Sequence, residues 1–126
     1  MASTHRAPVY SRNGVVAASQ PLAVSAGIEI LQRGGSAVDA AIAVSAVLAV
    51  VEPGASHLGG DAFVINFDAH KKTVTAFNGS GEAPHTATPN AYVDGIPLHG
   101  YKSATVPGLV STWFAAHDEY GVLAMD

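Results

Sequence analysis

A chain of 126 residues, 48% apolar and 13% charged, is long enough to bury a modest core, makes at most one domain, and is too apolar for a disordered segment. A net charge of -4 with six scattered Lys and Arg argues against an electrostatic nucleic-acid binder. With no cysteine, disulfide frameworks, thiolate zinc sites and a Cys nucleophile are excluded.

The opening MASTHRAPVYSRNG carries Arg6 and Arg12 without an apolar block, unlike a signal peptide, so residues 1–13 are expected to be a flexible lead-in and the protein cytoplasmic. Gly14 to Ser19 (GVVAAS) is a short apolar run between turn formers and predicts a fully buried strand. Ser19 or Gln20 then stands at a helix cap with Pro21 in the first turn. The first helix is expected over Pro21 to Gln32, with the small face Ala23, Ala26, Gly27, Ile30 and Leu31. The structural turn Gly34–Gly35 ends it, as residues that tolerate positive φ do.

Ser36 opens the next helix with a capping box, since Asp39 lies three residues on and reaches back to the cap's own N–H. That helix continues to Val51 and stops at Pro53. Ala37 to Val51 has almost no polar face, so it is expected to be covered on all sides. It is shorter than the roughly 20 residues that cross a bilayer, and reads as a buried helix.

After the second structural turn, Gly59–Gly60, the period changes. Phe63, Ile65 and Phe67 share one face and Ala62, Val64 and Asn66 the other, so a strand starts at Asp61; the cluster Asp68 to Lys72 turns it into a second strand, Thr73 to Phe77. An antiparallel hairpin follows. Asn78 to Pro97 reads as loop with one helical turn near Pro89 to Val93. The last helix is expected over Val106 to Tyr120, where Val106, Leu109, Val110, Trp113, Phe114 and His117 recur at helical spacing, with Gly121 as its stop. Strand, two helices, hairpin, loop and helix make an α+β or layered arrangement.

No complete catalytic constellation stands in these residues. Gly95 to Ser103 (GIPLHGYKS) nearly spells a phosphate loop, but Tyr101 displaces Lys102 from the glycine, and an ordinary loop is the better reading. Ser56 and His57 are adjacent in a turn that lacks the closing glycine of a nucleophile elbow, so a catalytic pair is not expected. His57 and Asp61 would be two metal ligands without a third, and no metal or cofactor is implied. Gly59–Gly60 ahead of a strand signals the close approach of another backbone or a ligand. Ser80–Gly81–Glu82 is a tight turn, and also a glycine-flanked loop at a strand end where a substrate group can be held.

Four phrases carry a resemblance: GVVAASQPLAVSAGIEILQRGGSAVDAAIAVSAVLAVVEP (Gly14 to Pro53), HLGGDAF (His57 to Phe63), GSGEAP (Gly79 to Pro84) and VPGLVSTWFAAHDEYG (Val106 to Gly121). In this order and spacing the chain resembles the γ-glutamyltranspeptidase family. The resemblance implies an N-terminal-nucleophile (Ntn) hydrolase with a four-layer αββα sandwich, of which residues 1–126 would be the N-terminal part of the large subunit. It further implies self-cleavage into two subunits and attack on a γ-glutamyl amide, such as that of glutathione, by a newly exposed Thr whose α-amine is its own base. That Thr has no counterpart here, so no catalytic residue is assigned in this chain and the fragment alone is expected to be inactive.

The implied partners are a small γ-glutamyl or acyl amide, the remainder of the large subunit and the small subunit, with no nucleic acid and no membrane span. In the transpeptidases proper, an Arg at the position of Ser80 holds the substrate α-carboxylate through paired hydrogen bonds. Ser80 departs from that pattern, and the GGDAF and GSG–AP wording resembles an acylase-like branch, whose members often show Arg where this chain has Glu82. Three readings follow: a γ-glutamyltransferase-like amidase, a cephalosporin- or glutaryl-acylase-like amidase, and a non-catalytic scaffold module. An uncovered apolar helix would also favour self-association.

Overall fold

The structure, a computed structural model, describes residues 7–125. The sequence expectation of a flexible lead-in lies partly outside them. Residues 7–13 are exposed and without regular structure.

α1 spans Pro21–Gln32 and α2 Ala37–Val51. Gln20 is the cap of α1, its side chain accepting from the Leu22 N–H at 2.8 Å. At the other end Gly34, at φ 88°, sends its N–H to Leu31 O, and Gly35 sends its own to Ile30 O. This pair of reverse bonds occupies carbonyls that the helix end would leave unmet. The capping box of α2 is complete: Asp39 N–H donates to Ser36 Oγ at 3.1 Å and Ser36 N–H to Asp39 Oδ2 at 2.7 Å. The two helices close on small residues. A Cβ on Gly27 would lie 2.7 Å from Val44 Cγ2, too close for any larger side chain without displacement.

β1 (Ala62–Asp68) and β2 (Thr73–Gly79) form an antiparallel pair in which Phe63 faces Asn78, Ile65 faces Ala76 and Phe67 faces Val74. The connecting turn is held by the Asp68 carboxylate, which accepts N–H bonds from His70 and Lys71. α3 (Leu109–Tyr120) lies under one face of the hairpin, where Tyr120 meets Phe77 edge to face at 6.3 Å and its hydroxyl bonds Thr75 Oγ1. Trp113 joins α3 to α2 through a 3.1 Å bond from Nε1 to Ser45 Oγ. The buried apolar core is thin: Ala23, Val38, Ala40, Leu109, Trp113 and Ala116.

The expectations for residues 14–19, α2 and α3 are corrected. Residues 14–19 form no strand: the two strands of the described residues pair with each other, and the segment lies extended against the helices, with Val16 on Gly27 and Val15 exposed. α2 is not covered on all sides; most of it is half-buried and Val50 is 77% exposed. α3 begins at Leu109, not Val106, because a residue before proline avoids the helical region; Val106 instead donates its N–H to Glu82 O. Its buried stripe is Leu109, Thr112, Trp113 and Ala116, while Phe114 is half exposed. The apolar face of the hairpin, Phe63, Ile65, Phe67 and Val74, points away from α3 into open space, with exposures of 63–78%. The fold is α+β, with a two-stranded sheet.

Candidate functional site

Three backbone segments converge where β2 ends. Ser80 N–H turns back onto Asn78 Oδ1 at 3.0 Å, and Gly81 follows at φ 73°. Both the conformation and the space at Gly81 exclude a side chain, since a Cβ there would lie 1.9 Å from Val106 O. The second segment lies against the turn: Val106 N–H donates to Glu82 O at 2.9 Å, and Thr105 Oγ1 lies 3.1 Å from Ser80 O and 3.2 Å from Asp61 Oδ1. The third is the glycine pair Gly59–Gly60. Gly60 O accepts the N–H groups of Gly108 at 3.0 Å and Leu109 at 2.9 Å, which ties the start of α3 to the start of β1.

Between the 78–82 turn and the 106–108 segment lies an open groove of about 440 Å³ that also reaches Ser111. Its polar lining residues are Asn78, Ser80, Ser111 and Glu82, and Glu82 is the one charged residue among them. The residues singled out as substrate-binding, Ser80, Gly81 and Glu82, therefore share one groove. Thr105 and Pro107–Gly108 escaped sequence reasoning as part of this site, although Pro107–Gly108 ahead of a helix was a visible signal.

Other candidates separate. Ser56 and His57 make no hydrogen bond to each other; Ser56 faces the gap between α2, β1 and α3. Among the described residues no group of three His, Asp or Glu gathers to hold a metal. Lys102 of the near phosphate loop sends its Nζ to Ala91 O at 3.0 Å and lies over the Tyr92 ring, so it is occupied within its own loop. No helix among the described residues is long and apolar enough to cross a membrane.

Asp39 is a structural carboxylate. Besides the Ser36 N–H, its oxygens accept the Val122 N–H at 3.0 Å and the Leu123 N–H at 3.3 Å, and His117 Nε2 lies 3.7 Å away while bonding Leu123 O at 2.6 Å. Burial pushes this carboxyl up, but the backbone N–H groups of Ser36, Val122 and Leu123, with the Ser36 side chain, outweigh it and hold Asp39 below the usual carboxylate value.

With this geometry in view, the family model described as gamma-glutamyltranspeptidase matches residues 23–126. The chain belongs to the γ-glutamyltranspeptidase family. It is 46% identical over 120 residues to the glutathione hydrolase-like YwrD proenzyme of Bacillus subtilis strain 168, covering 93% of this chain and 23% of that protein. It is 40% identical over 124 residues to the glutathione hydrolase proenzyme of Pseudomonas sp. strain A14, covering 92% of this chain and 21% of that one. Among solved structures, Helicobacter pylori γ-glutamyltranspeptidase superposes with a TM-score of 0.84 at 33% identity, over 92% of this chain and 35% of that one. The cephalosporin acylase of Bacillus halodurans does so with a TM-score of 0.77 at 38% identity, over 98% and 25%. The chain thus spans between a fifth and a quarter of the length of these curated relatives.

Proposed function

We propose that these residues are the N-terminal part of the large subunit of a γ-glutamyltransferase-like Ntn amidase, whose nucleophile is an N-terminal Thr delivered by another stretch of the same polypeptide. In that reaction the Thr Oγ attacks the carbonyl of a γ-glutamyl amide while its α-amine takes the hydroxyl proton. The C–N bond then breaks, the proton passes to the leaving amine, and water or an acceptor amine resolves the acyl ester. The role of the present residues is to hold one wall of that site: the 78–82 turn, pinned by Val106 and by Gly60 through the start of α3, is rigid enough to orient an acyl chain.

The observation that carries this reading is the family match over residues 23–126. The outward apolar face of the hairpin supports the larger architecture. Four exposed β-formers, Phe63, Ile65, Phe67 and Val74, fit a second sheet stacked about 10 Å away, which would make this half of an αββα sandwich. Mass spectrometry of the full-length gene product tests the reading. Two self-generated chains, the second beginning with Thr, and turnover of γ-glutamyl-p-nitroanilide that disappears when that Thr becomes Ala, are the expected results. One intact chain without turnover refutes it and favours a scaffold module.

An acylase acting on other side chains is the second reading. It is favoured by Ser80 in place of an Arg fork and by the likeness to a cephalosporin acylase over 98% of the chain. Relative turnover of γ-glutamyl and glutaryl anilides separates the two.

A further inference from the structure

We infer that the groove beside Ser80 accepts the amine-bearing end of an acyl group and repels a carboxylate, with Glu82 as the residue that sets this preference. The inference rests on the amidase reading above and narrows its substrate class. The lining residues include no Lys, Arg or His, so Glu82 contributes the one formal charge. The backbone N–H groups of Gly81 and Glu82 offer donors there but no formal charge to match it. Glu82 O and Ser80 O face the 105–106 segment as acceptors, and the Asp61 carboxylate stands behind Thr105 on the same side.

The start of α3 is the one feature of opposite sign. A helix end amounts to roughly +0.5 of a charge, carried on its first unpaired N–H groups. Here the N–H groups of Gly108 and Leu109 are spent on Gly60 O, and those of Val110 and Ser111 carry what remains, a partial charge against the full negative charge of Glu82. A carboxylate entering the groove meets repulsion from this wall. An ammonium meets a carboxylate, two acceptor hydroxyls and an amide oxygen.

Glu82 is placed for such a role without being needed for folding. Its backbone carbonyl holds Val106, its side chain has no ion-pair partner among the described residues, and the residue is exposed. The turn that presents it is fixed by Gly81, whose space is closed by Val106 O.

The test uses the full-length, self-cleaved protein and four p-nitroanilides that differ at one carbon: γ-glutamyl (ammonium and carboxylate), γ-aminobutyryl (ammonium alone), glutaryl (carboxylate alone) and butyryl (neither). The expected order of kcat/KM is γ-aminobutyryl above butyryl above glutaryl, with about fivefold between neighbours, the range of one partly exposed charge pair. Glu82→Gln should flatten the order and Glu82→Arg reverse it, each with an unchanged thermal melt. In the wild type, added salt should narrow the spread.

Equal or better turnover of glutaryl, or a γ-aminobutyryl preference that survives in Glu82→Gln, overturns the assignment while leaving the amidase reading standing. No turnover of any of the four overturns the amidase reading and this one with it.

Discussion

Replacing Asp39 by Ala removes the acceptor that joins the α1–α2 corner to the residues after α3. Three N–H donors lose a charged partner: Ser36 at 2.7 Å, Val122 at 3.0 Å and Leu123 at 3.3 Å. A buried donor left without a partner costs about 1–3 kcal/mol, and loss of a helix cap about 1 kcal/mol. Val122 is largely exposed, so water can reach its N–H, and the Leu123 bond is long. The low end therefore applies, and the sum is about 2–3 kcal/mol, or roughly 10 °C in melting temperature for a unit of this size.

Side-by-side thermal melts of the wild type and Asp39→Ala measure the global effect. Hydrogen exchange over residues 117–125 measures the local one and should accelerate about fiftyfold. The pH dependence fixes the cause. The Asp39 carboxyl is held below its reference value of 3.8, so its stabilisation is fully present above that value and is lost as the pH falls through the lower folded-state value. The gap between the two proteins should be constant from roughly pH 5 upward and close only in acid. A gap under about 0.5 kcal/mol, or one that closes near neutral pH where a histidine titrates, refutes the argument.

Gly81→Ala should destabilise by about 3 kcal/mol in a denaturation series, since it meets both a positive φ and the Val106 carbonyl, whereas Gly54→Ala, with open space around it, should stay within about 0.5 kcal/mol. Trp113→Phe leaves Ser45 Oγ without its donor and opens space against α2, and about 1–2 kcal/mol should be lost in the same measurement. Ile65→Lys tests the sandwich. On a face open to water the change would cost nearly nothing, but under a second sheet it buries an ammonium, and self-cleavage and soluble yield of the full-length protein should collapse while Ala69→Lys in the hairpin turn leaves both unchanged.

Local chemistry was legible in the residues wherever it is closed by near neighbours. Pro21 set the start of α1, Gly34–Gly35 its end, Ser36 with Asp39 the capping box, and alternation over Ala62–Asp68 with the Asp68 turn gave the hairpin. Each cap and turn is completed within about four residues, so the sequence holds both partners. The candidate turn Ser80–Glu82 was legible for the same reason: its glycine and its place at a strand end are local facts.

Tertiary structure alone decided what faces what. An alternating strand carries two faces and does not say which meets a helix; here Val64 turns toward α3 and Ile65 away from it, because the helix after Gly108 is anchored to Gly60 on that side. GVVAAS has the composition of a strand but pairs with no strand among the described residues, and pairing is a property of the neighbour. The groove walls, Thr105 to Gly108 against Asn78 to Glu82, lie more than twenty residues apart in the chain. Their meeting depends on long-range hydrogen bonds that no local pattern of residues encodes.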